Sequence, residues 1–284
     1  IGAVAYLFKQ LQFPIYGTPL PLGMLANKFD EHKMREHKKF FRYVEKRKQI
    51  KIGEFVVEFM HITHSIPDAS ALAIQTEAGT IIHTGDFKID FLPVDGDVTD
   101  LYRFSQYGET GVLLLMSDST NAERDGFTKS ESVLVEKLND IFSGARGRII
   151  VATFASNIHR IQQVMDAAQR YNRKVIISGM SMQKNVEIAS SLGFLKFREE
   201  LVVDVMKAGS HPDKKLVIIG TGSQGEPMSA LYRMAYGTHR HFAAHKGDTV
   251  IITASVIPGN ERMVSKVINS LMRLGADVFY DQDD

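Results

Sequence analysis

The sequence contains no cysteine, and this absence excludes several kinds of structure and chemistry. Without cysteine there is no disulfide bond, no thiolate metal ligand and no cysteine nucleophile. The absence fits a reducing compartment, although secreted proteins without cysteine also exist. Ten histidines, together with 33 aspartates and glutamates, are therefore the candidate ligands for a transition metal.

Long apolar segments are missing as well. A membrane-spanning helix needs about 20 consecutive apolar residues, whereas the longest apolar runs here, such as residues 112–116, have the length of a β-strand. Mean hydropathy is −0.10, with 44% hydrophobic and 24% charged residues, which is typical of a globular domain. We therefore expect a protein that does not enter a membrane.

The two ends of the sequence give an expectation about its extent. Ile1 is followed by neither a charged n-region nor a small-residue cleavage site, so no signal peptide is recognisable. Residues 1–11 instead resemble the interior of a helix, and the sequence stops directly after a predicted strand at 278–280. We expect the chain to be part of a longer protein.

Positive charge is concentrated in one segment, although the formal net charge is only +1. Between Lys28 and Lys51 there are ten Lys or Arg residues and four Asp or Glu residues. Such a segment is commonly a solvated surface, and the more specific interpretation is a track for a polyanion.

The apolar pattern predicts an α/β protein with two parts. Strand-length segments at 55–60, 71–76 and 81–83 are joined by short loops, which favours an antiparallel or mixed sheet. Residues 112–116 are predicted to be a buried strand. From about Thr128 onward, strands alternate with helices, and this alternation indicates a mostly parallel sheet covered by helices. The predicted domains are therefore 1–128 and 129–284.

A histidine and an aspartate follow two of the predicted strands of the first part. His64 lies in the segment HITHSIPD and Asp86 in HTGD, and both segments are loops that proline or glycine stiffens. Imidazole and carboxylate at neighbouring strand ends can converge on Zn²⁺ or Mn²⁺. The alternative is that both side chains only brace their loops, since two residues fall short of a complete ligand set.

Polar residues also follow other predicted strands. Asp118 comes directly after the run at 112–116, where it is either a working carboxylate or the acceptor of a local turn. Ser156, Asn157 and His159 precede or begin a predicted helix, whose backbone N–H groups favour phosphate. The alternative for Ser156 or Asn157 is ordinary helix capping.

A glycine-rich turn, GTGSQGE at 220–226, connects another strand to a helix. The turn resembles a phosphate cradle, but it has neither the lysine of a P-loop nor the spacing G-x-G-x-x-G. The segment 255–261 forms a third polar junction of the same kind. Because loops after parallel strands meet at one sheet edge, we expect these turns to line one crevice.

Taken in order, these segments resemble the ribonuclease J group of the β-CASP branch of metallo-β-lactamase-fold nucleases. The matching segments are THSIPDA at 63–69, HTGDFKID at 83–90, SDSTNAER at 117–124, ATFASNIHR at 152–160, GTGSQGEPMSAL at 220–231 and IPGNE at 257–261. Individually they are modest, but six in family order are specific. The resemblance implies that 1–128 is part of a metallo-β-lactamase αββα domain and that 129–284 is an inserted, incomplete β-CASP domain.

The resemblance also implies a function and a set of site residues. The family hydrolyses RNA 5′-to-3′, with endonucleolytic cutting as well, by means of a water activated by two divalent metal ions. Zinc is expected first, with manganese or magnesium as alternatives. His64 is implied as a metal ligand, Asp86 as a ligand that bridges both metals, Asp118 as an acidic residue beside them, and His159 as a polar residue facing the site.

Partners and location follow from the same resemblance. We expect single-stranded RNA with a 5′-monophosphate end, which Ser156, Asn157 and the turn Gly222–Ser223–Gln224 would contact. We also expect assembly into homo-oligomers or with a paralogue, and a role in rRNA maturation and mRNA decay in the bacterial cytoplasm. The family's H-x-H-x-D-H metal motif would directly precede Ile1, and a glycine–histidine motif would follow Asp284. The chain by itself is therefore predicted to bind metal weakly and to be inactive.

Two other functions compete with this prediction. One is a non-catalytic paralogue that keeps the fold and binds RNA without a metal site. The other is a nucleotide-binding α/β protein built around Gly220–Gly225, which would leave His64 and Asp86 without a role. Metal-dependent RNA turnover distinguishes the first expectation from both alternatives.

Overall fold

A computed structural model describes residues 1–34, 36–120, 122–123, 125–128 and 130–280. The chain divides into two compact units, Ile1–Val133 and Leu134–Asp284. The sequence predicts a boundary between residues 128 and 129, close to this division. Two residues of the motif at 117–124, Asn121 and Arg124, lie outside the described residues.

The first unit combines helices with short strands. Its elements are α1 (Gly2–Gln10), β1 (Ile15–Gly17), α2 (Pro19–Glu31), β2 (Phe41–Tyr43), β3 (Gln49–Ile52), β4 (Phe55–His61), β5 (Ser70–Thr76), β6 (Gly79–His83), α3 (Leu101–Thr110) and β7 (Leu114–Met116). One small core packs α1 and α2 through Phe8, Leu25 and Phe29. A second core lies under the sheet and includes Met60 and Ile82.

The main sheet of this unit has the order β3-β4-β5-β6-β7. Strands β3 to β6 pair antiparallel, and β7 pairs parallel to β6. The sheet is therefore mixed, in agreement with the predicted antiparallel or mixed sheet. Because β4, β6 and β7 run in the same direction, their carboxyl ends lie at one edge of the sheet.

The second unit alternates strands and helices. Its elements are α4 (Glu131–Gly144, which begins before the division), β8 (Ile149–Ala152), α5 (Ile158–Arg170), β9 (Lys174–Ser178), α6 (Met180–Ser191), β10 (Leu216–Gly220), α7 (Ala230–Ala235), β11 (Thr249–Ile252), α8 (Glu261–Arg273) and β12 (Asp277–Tyr280). The sheet order is β12-β11-β8-β10-β9, and every pairing is parallel. The predicted α/β class with a mostly parallel sheet is confirmed.

Burial explains why the second sheet forms. Strands β8, β10 and β11 are apolar and buried along their whole length, as parallel strands covered on both faces are. Helices α7 and α8 contribute Leu231, Met234 and Leu271 to the core over these strands. This core holds the loops at the carboxyl ends of the strands in place.

Three details of the fold differ from the sequence-based expectations. The run at 112–116 is not buried: β7 is an edge strand, and the side chains of Leu114 and Leu115 are 49% and 58% exposed, because no described element covers them. Helix α3 is absent from the predicted elements. The helix predicted to follow the glycine-rich turn at 220–226 begins only at Ala230, as α7, since Glu226–Ser229 form a turn in which Met228 has φ 72°.

No helix in the described part of the chain has the length and apolar character needed to cross a membrane.

Candidate metal centre and phosphate-binding loops

Three polar residues follow the three strands whose carboxyl ends share one edge of the first sheet. His64 follows β4, Asp86 follows β6, and Asp118 follows β7. The neighbouring strands β6 and β7 are in register from Ile81 to His83 with Leu114 to Met116, so the loops that carry the two aspartates leave the sheet side by side. The structure therefore brings together the three candidate residues of this unit.

Hydrogen bonds connect the two aspartate loops. The backbone N–H of Asp118 donates to Thr84 Oγ1 at 3.0 Å, and the N–H of Phe87 donates to Asp118 Oδ2 at 3.4 Å. The other carboxylate oxygen, Oδ1, accepts from the N–H and the hydroxyl of Thr120 at 3.0 and 2.6 Å. Asp118 thus forms the local turn that was one of its two predicted roles, and it also contacts the segment that carries Asp86.

Electrostatics show that the three residues influence one another. Burial lowers the pKa of His64, and the carboxylates of Asp86 and Asp118 oppose that effect. The hydrogen bond from Thr120 lowers the pKa of Asp118. At neutral pH the site therefore presents a neutral imidazole at His64 and an ionised carboxylate at Asp118, and deprotonated groups of this kind are what a divalent cation requires of its ligands.

Asp86 is the most exposed member of the group. Its side chain is exposed, and among the described residues it makes no hydrogen bond or ion pair, so both of its oxygens can accept a ligand. Imidazole and carboxylate are suitable donors for Zn²⁺ and Mn²⁺. Within the described residues, however, no group of three or more His, Asp or Glu side chains is positioned to hold an ion. These side chains are of the type that binds such metals, but the described residues provide too few of them for a complete ligand set.

The segment that carries His64 is fastened to the segment after Asp86. The N–H of Lys88 donates to the Thr63 carbonyl at 3.0 Å, and the Thr63 hydroxyl donates back to the Lys88 carbonyl. The N–H of Thr63 donates to Thr99 Oγ1 at 2.9 Å. Sequence reasoning passed over these three residues, because a threonine or a lysine beside a candidate ligand carries no recognisable spacing.

The first candidate phosphate loop of the second unit lies between β8 and α5. Asn157 caps α5, since its side chain accepts from the N–H of Arg160 at 3.0 Å. Ser156 is exposed, whereas His159 is buried at the first turn of the helix. Arg160 is also buried, and it donates from Nη1 to the Thr253 carbonyl at 2.8 Å. Asn157 therefore has the capping role that was its alternative interpretation.

The glycine-rich turn after β10 is held mainly by Gln224. This side chain is 2% exposed; its Oε1 accepts from the N–H of Ile257 at 2.8 Å, and its Nε2 donates to the Ser255 carbonyl at 3.0 Å. The amide thereby joins the loop after β10 to the loop after β11. Gly225 belongs to the same turn: its φ is 70°, and a Cβ there would lie 2.6 Å from the Met263 backbone.

Two buried hydroxyls at this sheet edge have no partner within the described part of the chain. They are Thr153 Oγ1, directly after β8, and Ser223 Oγ, in the turn after β10. Their strands are neighbours, with Ala152 paired to Gly220. Buried polar groups are seldom left unpaired, so these hydroxyls indicate a place where a ligand or an ordered water supplies a partner.

Comparison with known proteins identifies relatives of this chain. A model of the ribonuclease J β-CASP domain matches residues 146–271, which include the elements from β8 to α8 except the last two residues of α8. Ribonuclease J of Helicobacter pylori is 53% identical over 284 residues, and that alignment covers 100% of this chain. The chain belongs to the ribonuclease J family.

Other ribonuclease J proteins are similarly related. Those of Thermus thermophilus and Mycobacterium tuberculosis are 45% and 43% identical to this chain, over 99% and 98% of its length. The chain spans 41% of the Helicobacter ribonuclease J and 50% of the other two. About half of the length of each relative therefore has no counterpart in this sequence.

A solved structure shares the fold at much lower identity. It is the crystal structure of a protein of unknown function from Enterococcus faecalis V583, with a TM-score of 0.63 and 14% identity. The match covers 94% of this chain and 63% of that protein. At this identity the match concerns the fold alone, and the α/β architecture of this ribonuclease J family chain agrees with it.

Proposed function

We propose that the whole protein to which this chain belongs is a metal-dependent ribonuclease that hydrolyses phosphodiester bonds in RNA. The observation that supports this most directly is the convergence of His64, Asp86 and Asp118 at the carboxyl ends of β4, β6 and β7. The relatives at 43–53% identity are named ribonuclease J, which favours RNA as the substrate.

The metal would be held in part by His64 and Asp86. His64 offers a neutral imidazole because burial lowers its pKa, and Asp86 offers an exposed carboxylate. We propose two divalent ions, zinc first with manganese or magnesium as alternatives, with the remaining ligands outside the described residues. Such ions supply a water that ionises near neutral pH and positive charge opposite the phosphate.

Asp118 and His159 complete the proposed catalytic residues. Asp118 stays ionised and keeps the loop of Asp86 in place through the N–H of Phe87. His159 stands in the first turn of α5, where helix N–H groups favour a phosphate. We propose that His159 orients the RNA phosphate and that Asp118 acts beside the metal ligands.

RNA binding would use the carboxyl edge of the parallel sheet. Ser156 is exposed at the N-terminus of α5, and the turn Gly222–Ser223–Gln224 brings backbone N–H groups to the same edge of the sheet. Of its side chains, Ser223 has a buried hydroxyl without a partner among the described residues, and Gln224 acts by holding the turn. The basic segment Lys28–Lys51 is a candidate contributor to binding, with an affinity that falls as salt rises.

The direction of cleavage, the preferred RNA, the cellular role and the assembly state are also proposals. We propose 5′-to-3′ exonuclease activity with endonuclease activity in addition, a preference for single-stranded RNA with a 5′-monophosphate, and a role in rRNA maturation and mRNA decay in the cytoplasm. Assembly with a second copy or a paralogue belongs to the same proposal.

The deciding experiment compares Asp86→Asn with a matched surface variant in a full-length protein that carries this sequence. Glu77→Gln is the control, because Glu77 is an exposed carboxylate in the β5–β6 turn, at the opposite end of these strands. With Mn²⁺ and 5′-labelled RNA, Asp86→Asn should lower kcat/KM by a factor on the order of 10³, since bound metal contributes several kcal/mol. Equal activity of both variants contradicts the proposal.

The 284-residue chain by itself provides a second test. We expect it to bind Mn²⁺ weakly and to leave RNA intact, because its described residues lack a three-ligand group. RNA degradation by this chain would contradict that expectation. If the full-length protein binds RNA but no metal and shows no turnover, the function is that of the non-catalytic paralogue instead.

A further inference from the structure

One lysine contacts both ends of the loop that carries His64. Lys46, between β2 and β3, places its Nζ 2.7 Å from Nδ1 of His61 and 3.3 Å from Oδ1 of Asp68. His61 is the last residue of β4, and Asp68 lies just before β5. A single ammonium group therefore joins the residue that begins the loop to the residue that ends it, with His64 between them.

The Asp68 end of the loop has a conformation that must be held. Asp68 has φ 65°, a left-handed conformation that costs energy in a residue other than glycine. Its Oδ2 accepts from the N–H of Leu20 at 3.1 Å, and its carbonyl accepts from the hydroxyl of Thr18 at 3.1 Å. Only 9% of the Asp68 side chain is exposed, so the ammonium of Lys46 is its nearby compensating charge.

The His61 end is fixed through the tautomer of the imidazole. An ammonium group can only donate, so Nδ1 of His61 must accept from Lys46. The proton is then on Nε2, which donates to the Asp97 carbonyl at 3.0 Å. Both ring nitrogens of His61 are occupied by these contacts, so His61 braces the loop. His64 makes no hydrogen bond to any described residue and is therefore the histidine of this loop that we assign as a ligand.

We propose that Lys46 is a positioning residue for the candidate metal centre. By joining His61 to Asp68, it keeps the loop in the one arrangement that presents the His64 imidazole beside Asp86. The effect of Lys46 on metal binding rests on the proposed function. The two contacts of Lys46 with His61 and Asp68, which we call the clamp, exist in the chain without metal or RNA. Lys48 differs from Lys46 in this respect: both side chains of its ion pair with Glu45 are exposed, and the pair does not connect two ends of a loop.

Hydrogen exchange of the metal-free, RNA-free chain tests the clamp. In Lys46→Met, backbone amides of residues 62–69 should exchange at least about tenfold faster, whereas amides of β5 should keep their rates, because the opening is local. Lys48→Met, the matched control, should leave both sets unchanged. Lys46→Arg should restore slow exchange, since a guanidinium can donate to both partners.

A second readout concerns the metal. In a full-length protein, Lys46→Met should raise the Mn²⁺ concentration for half-maximal RNA cleavage on the order of tenfold, as loss of a residue supporting a ligand does. Saturating Mn²⁺ should restore most of kcat, and Lys46→Arg should need no extra metal.

The outcomes separate the two proposals. Faster exchange in β5 and the loop alike, or an unchanged loop, overturns the positioning role. If the wild-type protein fails to cleave RNA, the proposed function fails, while the exchange experiment still decides whether Lys46 holds the loop.

Discussion

Arg103 donates from Nε and Nη2 to the two carboxylate oxygens of Glu58, at 2.6 Å in each case. Glu58 is 1% exposed in the middle of β4, and the hydroxyl of Tyr107 donates to it as well, at 2.8 Å. Since Arg103 and Tyr107 lie on α3, this network fastens the helix to the strand that leads to His64.

The network predicts a large loss of stability when the arginine is removed. Arg103→Met should lower the free energy of unfolding by about 3 kcal/mol, because it leaves a buried carboxylate without its counter-charge. Lys48→Met is the control: its ion pair with Glu45 leaves the two side chains 66% and 71% exposed, so the loss should stay within about 1 kcal/mol. Urea unfolding followed by circular dichroism measures both, and equal losses would contradict the argument.

The same network predicts a dependence on pH. Burial by itself would raise the pKa of Glu58, but the hydrogen bonds from Arg103 and Tyr107 outweigh it and lower the pKa below its ordinary value. A carboxyl with a lowered pKa in the folded state stabilises the fold above its unfolded pKa, and that contribution is lost as the pH falls through the folded value. Between pH 7 and pH 3 the wild type should therefore lose more stability than Glu58→Gln, measured by urea unfolding at each pH.

Sequence patterns predicted most strands, because apolar runs of strand length become core strands when helices cover them. The pattern failed at α3 and β7 for opposite reasons. Helix α3 depends on the ion pair between Arg103 and Glu58, 45 residues apart, which no local periodicity reveals. Its cap from Asp100 is a local signal that the apolar pattern does not register. The run at 112–116 is as apolar as a core strand, yet its place at the sheet edge leaves it exposed.

The candidate site was predictable only in part. His64, Asp86 and Asp118 each follow an apolar strand, so their approach to one sheet edge follows from strand order. The roles of Lys46 and Gln224 depend on partners that are distant in sequence, 22 residues for Asp68 and 33 for Ile257. Such contacts become visible only when the fold brings the partners together.

Ser223 provides a prediction that separates binding from stability. Its buried hydroxyl has no partner in the described part of the chain, so Ser223→Ala should leave the free energy of unfolding unchanged or raise it by up to about 1 kcal/mol. If the hydroxyl contacts RNA, as proposed, the same variant should weaken binding of a 5′-phosphorylated oligonucleotide by about fivefold, the effect of about 1 kcal/mol.

Ser178 is the matched control for this test. It is also buried at the end of a strand of the same sheet, but its hydroxyl contacts Nε2 of His239 at 3.0 Å. Ser178→Ala should therefore lower stability by about 1 kcal/mol. If Ser223→Ala destabilises as strongly, the hydroxyl has a structural partner and the binding role is contradicted.

Unlike Ser223→Ala, substitution of Gln224 should lower the stability of the fold. Gln224→Ala removes the acceptor of the Ile257 N–H and the donor to the Ser255 carbonyl, so stability should fall by about 2 kcal/mol. The Ile257 amide should also exchange faster with solvent than in the wild type, because its bond to Gln224 is lost. Gln169→Ala, an exposed glutamine on α5, should change neither quantity. Unchanged exchange at Ile257 would contradict the proposed link between the two loops.

His239 makes part of the stability of the second unit sensitive to pH. Its Nδ1 accepts from the N–H groups of His241 and Phe242, at 3.2 Å each, so the proton is on Nε2 and points to Ser178. Burial lowers the pKa of His239, and the charges of Arg233 and His241 lower it further. Protonation would place a second proton on Nδ1, which faces two donors.

The sign of the effect follows from this lowered pKa. The unfolded chain takes up the proton more readily, so His239 stabilises the fold fully above its unfolded pKa of about 6.5, and the contribution is lost as the pH falls. In His239→Asn the amide oxygen can still accept from the two N–H groups but does not titrate. The loss of stability between pH 7.5 and 5.5 should therefore be smaller in His239→Asn than in the wild type. Equal slopes for the two proteins in urea unfolding would show that His239 is protonated equally well in the folded and unfolded states.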